Sequence, residues 1–187
     1  MPIGQQFRSV GFLAAVLLAV VSSSGCGPRP DSYLKSGREN HYHGDFEAAI
    51  ADYTEAIRLD PNYAEAYNNR GLALQSQGDL DGAAADYTKA IRLKPDYADA
   101  YKNRGLVRAA TGDYNGAIAD CTEAIRLDPA NCRALYNRPV ALESLKRPAD
   151  AEAGWRSYLD RCGDRPEEAA FVETVPLSLT SGASASP

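Results

Sequence analysis

Ala64–Tyr97 reads AEAYNNRGLALQSQGDLDGAAADYTKAIRLKPDY, and the sequence on either side rewrites it at a fixed step. Moved forward by 34 residues it lands on Ala98–Asn131, ADAYKNRGLVRAATGDYNGAIADCTEAIRLDPAN. Moved back by the same step it meets Pro30–Tyr63, which matches through HGDFEAAIADYTEAIRLDPNY after a looser first half. A further step forward, Cys132–Arg165, is a degenerate copy. A fixed period of this length marks a stacked array, in which each unit buries its apolar face only against its neighbours.

Within each unit two helical patterns flank a Gly-Asp pair, at Gly44-Asp45, Gly78-Asp79 and Gly112-Asp113. Glycine supplies the permissive backbone that ends the first helix, and aspartate caps the second by accepting from its free N–H groups. The second helix repeats apolar residues at spacings of three and four: Ala49, Tyr53, Ala56, Ile57; Ala83, Tyr87, Ala90, Ile91; Ala117, Cys121, Ala124, Ile125. That spacing places them on one face. Asp60-Pro61, Lys94-Pro95 and Asp128-Pro129 then stop it, because proline lacks the N–H and disfavours helix in the residue before it. The expected fold is an all-α solenoid of about four helical hairpins, at 30–63, 64–97, 98–131 and 132–165. In the last unit Pro139 stands where the others have glycine, so its first helix is expected to be kinked. Asp164 and Glu167 resemble a capping box ahead of an apolar run, which predicts a covering helix over 166–175. Residues 176–187 read as a disordered tail.

The units resemble tetratricopeptide repeats. In the second unit the resemblance is carried by Tyr67, Gly71, Leu74, Gly78, Asp79, Ala83, Tyr87, Ala90 and Pro95. In the third it is carried by Tyr101, Gly105, Gly112, Asp113, Tyr114, Ala117, Ala124 and Pro129, with Arg108 and Cys121 departing from the pattern. The resemblance implies that the first helices line a concave groove that binds an extended protein segment. Carried over by position, the groove rows are Lys35, Asn69, Asn103, Asn137; Arg38, Leu72, Leu106, Val140; and Leu34, Asn68, Lys102, Tyr136. Asparagine offers both a donor and an acceptor to a peptide backbone. Chaperone-adaptor relatives clamp a terminal carboxylate with basic residues, but Asp99 and Leu34 occupy two of those positions, which argues against that clamp here.

The copies also invite comparison with one another. Arg70, Arg104 and Arg138 share one early position, where the first unit has Ser36. Asp52, Asp86 and Asp120 share one late position, where the fourth has Gly154. Pairing each arginine with the preceding unit's aspartate leaves no charge stranded, which predicts the inter-repeat pairs Asp52–Arg70, Asp86–Arg104 and Asp120–Arg138. Separate solvated charges are the alternative. Cys121 replaces the aromatic of its siblings and reads as a core residue. Cys132 opens the fourth hairpin and Cys162 closes it, so an antiparallel arrangement brings them together; a disulfide and two buried thiols both remain open.

The first 25 residues differ in kind. Arg8, an apolar run from Gly11 to Val21 and small residues before Cys26 form a secretory signal layout. The run is shorter than the roughly 20 residues of a spanning helix. Ser23-Ser24-Gly25-Cys26 resembles the bacterial lipoprotein signal, although Ser23 stands where leucine is usual. The resemblance implies that Cys26 becomes the lipidated first residue of an exported, membrane-anchored chain, with 26–29 as linker; ordinary cleavage to a soluble exported protein and an uncleaved anchor are the alternatives. With 20 basic and 25 acidic residues the net charge is -5, which argues against a nucleic-acid partner. His41 and His43 diverge on a helix, and there is no phosphate loop, nucleophile elbow or metalloprotease motif. The expectation is a non-enzymatic scaffold or adaptor of the cell envelope without cofactor or metal. A self-associating structural protein is the alternative.

Overall fold

The computed structural model describes residues 29–176 and residue 179. The signal, Cys26 and most of the tail lie outside them. Eight helices form four antiparallel hairpins: α1 (Pro30–Tyr42) with α2 (Phe46–Leu59), α3 (Ala64–Ser76) with α4 (Leu80–Leu93), α5 (Ala98–Ala110) with α6 (Tyr114–Leu127), and α7 (Cys132–Ser144) with α8 (Pro148–Cys162). Each hairpin packs on the next through α2 on α3, α4 on α5 and α6 on α7. The first helices also touch one another directly, α1 with α3, α3 with α5 and α5 with α7, so they line the inner side of the array. The second helices form its outer side.

The turns follow the local chemistry. Gly44, Gly78 and Gly112 have φ of 80°, 87° and 85°, the left-handed region that glycine enters without strain. The next residue then caps: Asp45, Asp79 and Asp113 accept from the N–H groups of Ala48, Gly82 and Gly116 at 3.0, 2.9 and 2.9 Å. In the fourth hairpin Lys146 occupies the glycine's place at φ 56°, and Arg147 precedes α8 without a side-chain cap.

In the first two hairpins a glycine of the first helix faces a tyrosine of the second. A Cβ on Gly37 would lie 2.6 Å from the Tyr53 ring, and one on Gly71 would lie 2.7 Å from Tyr87. At these glycines the ring occupies the space a Cβ would need. In the fourth hairpin Pro139 fills the glycine's place inside α7, which continues through it, and a Cβ on Gly154 would meet the proline ring at 3.0 Å. The second helix thus carries no side chain where the first carries a ring.

Beyond α8 the expected covering helix is shorter and split. Pro166–Glu168 forms a 3₁₀ turn and Ala169–Val172 a single α-helical turn, α9. Arg165 precedes the turn without a side-chain cap, so the capping box is not formed. Phe171, Val172 and Val175 nevertheless pack on Leu135, Trp155 and Tyr158, closing the end of the array.

Candidate peptide groove and the seam behind it

Both faces of the array carry polar rows, and the arginine–aspartate pairs lie on the outer one. The expected inter-repeat pairs Asp52–Arg70, Asp86–Arg104 and Asp120–Arg138 are not formed. Arg70 instead donates to Asp86 of its own unit from Nε and Nη2, at 2.7 and 2.8 Å. Arg104 donates to Asp120 in the same way, at 2.9 and 2.7 Å. The fork of the guanidinium matches a carboxylate facing it across the hairpin. What does reach back to the preceding unit is the remaining nitrogen, from Arg70 Nη1 to Thr54 Oγ1 and from Arg104 Nη1 to Thr88 Oγ1, each at 3.1 Å.

The unmatched residues find other solutions. Asp52 accepts from Ser36 Oγ at 2.7 Å and from Asn40 Nδ2 at 2.8 Å, so short polar side chains replace the arginine. Asp120 takes a third donor, Arg108 Nη1 at 2.8 Å, which explains why an arginine stands at a position expected to be apolar. Arg138 has no carboxylate partner among the described residues.

On the inner face, Lys102, Asn103, Leu106, Arg133 and Asn137 line a cleft of 210 Å³ between α5 and α7. Leu106 and Val140 are 43% and 38% exposed and present apolar surface to solvent. The asparagines are not equivalent. Asn68 and Asn103 are buried and bonded to each other, Asn103 Nδ2 donating to Asn68 Oδ1 at 3.1 Å, so they link α3 to α5. Asn69 presents Oδ1 to Asn68 at 3.5 Å and holds its own buried amide nitrogen without a partner. Leu72 is half-buried and Asn137 lines the cleft.

The groove cations are mostly engaged. Arg38 pairs with Glu65 of the next unit, Lys102 with Asp99 at 2.5 Å, and Lys35 lies 3.9 Å from Glu39. Tyr136 departs from the expected groove row: its ring packs edge-on to Trp155, Tyr158 and Phe171, and its hydroxyl bonds Thr174 at 2.9 Å. The covering segment supplies this apolar surround. Arg133 was not among the expected groove residues. It lies over the Phe171 ring, 4.1 Å from its centroid, and its signal was a reversal of charge in a position held by Asp31, Glu65 and Asp99 in the other units.

Tetratricopeptide-repeat models match residues 37–78, 64–97 and 98–131, which together run from within α1 to the end of the third unit. The chain belongs to the tetratricopeptide-repeat family. Among solved structures it is similar to MamA, with 27% identity and a TM-score of 0.68, covering 76% of this chain and 81% of that one. It is similar also to the Arabidopsis OM64 TPR domain, at 28% identity and TM-score 0.60, covering 61% of this chain and 94% of that one. The fold is shared with the first TPR of Spaghetti (RPAP3) bound to an HSP90 peptide, at 24% identity and TM-score 0.62, covering 63% and 94% of the two chains. A sequence comparison with curated proteins returns no match.

The fourth tetratricopeptide unit lies beyond the matched residues, yet it keeps the family's packing by other means. Trp155 takes the place of Tyr87 and donates from Nε1 to Glu143 at 2.7 Å, as Tyr87 donates from its hydroxyl to Gln75 at 2.9 Å. Cys132 and Cys162 are joined in a disulfide with Cα atoms 5.8 Å apart, closing the two ends of this hairpin. Cys121 is the free cysteine of the described residues; it is buried, and desolvation pushes its thiol up to about 12. Within the described residues no group of three or more metal-ligating side chains converges, and no helix is long and apolar enough to cross a membrane.

Proposed function

We propose that this protein is an exported scaffold or adaptor of the bacterial cell envelope that binds an extended segment of a partner protein along the inner face of its repeats. The observation that carries the reading is the cleft between α5 and α7, where exposed Leu106 sits among Asn103, Asn137, Lys102 and Arg133. Apolar side chains of a bound segment have Leu106 and Val140 to cover, and its backbone has the Asn137 amide and the outer lone pairs of Asn103. Arg133 adds a cation without a carboxylate partner among the described residues, so acidic residues in the segment are favoured near α7. Export is supported by the signal layout and by the Cys132–Cys162 disulfide, which persists in an oxidising compartment, and anchoring by the Ser23-Ser24-Gly25-Cys26 layout alone.

The groove is tested by selecting binders from a library of extended peptides and measuring them against the wild type, Leu106→Asp and Arg133→Glu. Both side chains are exposed, so the variants keep the fold. Selected peptides are expected to lose about tenfold or more in affinity for each variant. Failure to select any peptide, or equal affinity for all three proteins, contradicts the groove. Anchoring is tested separately by the mass of the amino-terminal peptide from the membrane fraction, expected to begin at a diacylated Cys26; an unmodified amino terminus in the soluble fraction contradicts it.

A further inference from the structure

The outer face holds a second site that the repeats themselves describe by omission. In units two and three a guanidinium from the first helix is held by a carboxylate of the second helix and a threonine of the preceding unit. Unit four keeps two of the three parts. Arg138 is in place on α7, and Thr122 on α6 occupies the position of Thr54 and Thr88. The carboxylate is missing: Gly154 stands in its place, where a Cβ would lie 3.0 Å from the Pro139 ring. An open cleft of 280 Å³ lies there, lined among others by Thr122, Arg138, Leu142, Arg147, Ala153 and Gly154.

We infer that this cleft takes a carboxylate side chain, glutamate or aspartate, from a partner protein, which supplies to Arg138 the group that Asp86 and Asp120 supply to Arg70 and Arg104. Bidentate recognition by arginine suits a planar carboxylate. Asp150 also lines the cleft, but it is committed to Arg147 at 2.7 Å, which leaves the positive charge of Arg138 unbalanced there. Ile118, Leu142 and Ala153 offer apolar contact to the methylenes of an amino-acid side chain, a contact that a free anion does not use. The site faces away from the groove between α5 and α7 and does not depend on it.

The test is an NMR titration of the full mature chain, reading the Arg138 Nε–Hε resonance at constant ionic strength. Three probes are added: a blocked alanine-rich peptide with one central glutamate, the same peptide with glutamine, and sodium acetate. The glutamate peptide is expected to shift the resonance saturably and to bind at least about tenfold more tightly than either control. Equal responses to the glutamate and glutamine peptides overturn the inference. Acetate binding as tightly as the glutamate peptide overturns it too, since the site would then recognise free anions. The double variant Pro139→Gly, Gly154→Asp rebuilds the sibling motif and is expected to abolish binding by filling the cleft from within; retained binding contradicts the assignment. Arg138→Gln, read by calorimetry with the same peptide, gives an independent check should the double variant fail to fold: loss of heat supports the site, and unchanged affinity removes it.

Discussion

Units two and four share a fold and differ in what fastens them. In unit two Gly71 lets α3 and α4 close on Tyr87, and the Arg70–Asp86 fork crosses the hairpin behind them. Unit four has a proline in place of that glycine and no acid opposite Arg138. A disulfide at its open end and an aromatic cluster of Tyr136, Trp155, Tyr158 and Phe171 take over. The difference teaches that a repeat array tolerates the loss of its internal fastening where an end is covered from outside. An end unit stacks on one neighbour only, so a covalent closure stabilises it more than a further ion pair would.

The largest effect expected from breaking this comparison is at the buried ring of the regular unit. Tyr87→Ala removes a fully buried aromatic and is expected to cost about 4 kcal/mol, read as a shift of the urea midpoint. Replacing Cys132 and Cys162 together by alanine opens a 30-residue connection. The expected loss is about 3 kcal/mol, concentrated in α7 and α8. Arg104→Met leaves the buried Asp120 with Arg108 as its remaining cation, and about 2 kcal/mol should be lost. Arg138→Met, the corresponding change in unit four, removes no internal ion pair, and its cost should stay below about 0.5 kcal/mol. If the two arginines cost the same, the contrast between the units fails.

Alkaline pH gives an intermediate effect. The Cys121 thiol titrates near 9.0 when unfolded and is pushed to about 12 by burial. Above pH 9 the unfolded chain loses this proton while the folded chain keeps it, so stability is full below pH 9 and falls as pH rises towards 12. About 1 kcal/mol should be lost over the first pH unit above 9. Cys121→Ala should flatten that slope in urea titrations, whereas an unchanged slope would assign the loss to the buried tyrosines.

Much of this architecture is legible in the residues. The 34-residue step, the Gly-Asp turns and the columns headed by Gly71 and Tyr87 lead directly to hairpins, because each acts through backbone conformation or close packing within its own unit. The polar partners were less legible. Pairing every aspartate with an arginine points Arg70 at Asp52, whereas Ser36 and Asn40 satisfy Asp52 with neutral donors. Arg138 is left without a carboxylate among the described residues, which charge counting does not foresee. In the groove, Leu106 and Val140 are exposed at the positions the repeat assigns them, but Asn103 Nδ2 is spent on Asn68 Oδ1 and so does not face a partner. Position in the repeat does not reveal the surroundings of Tyr136, because the covering segment that packs on it lies outside the repeat and follows no period.

Native-state hydrogen exchange of the oxidised and the reduced protein tests the central claim, that unit four is fastened covalently and units two and three by their own pairs and packing. Reduction of Cys132–Cys162 should strip protection from α7, α8 and α9 while amides of α3 to α5 keep theirs, as separate opening units would. Equal loss of protection across all four hairpins, or none in α7 and α8, would contradict it.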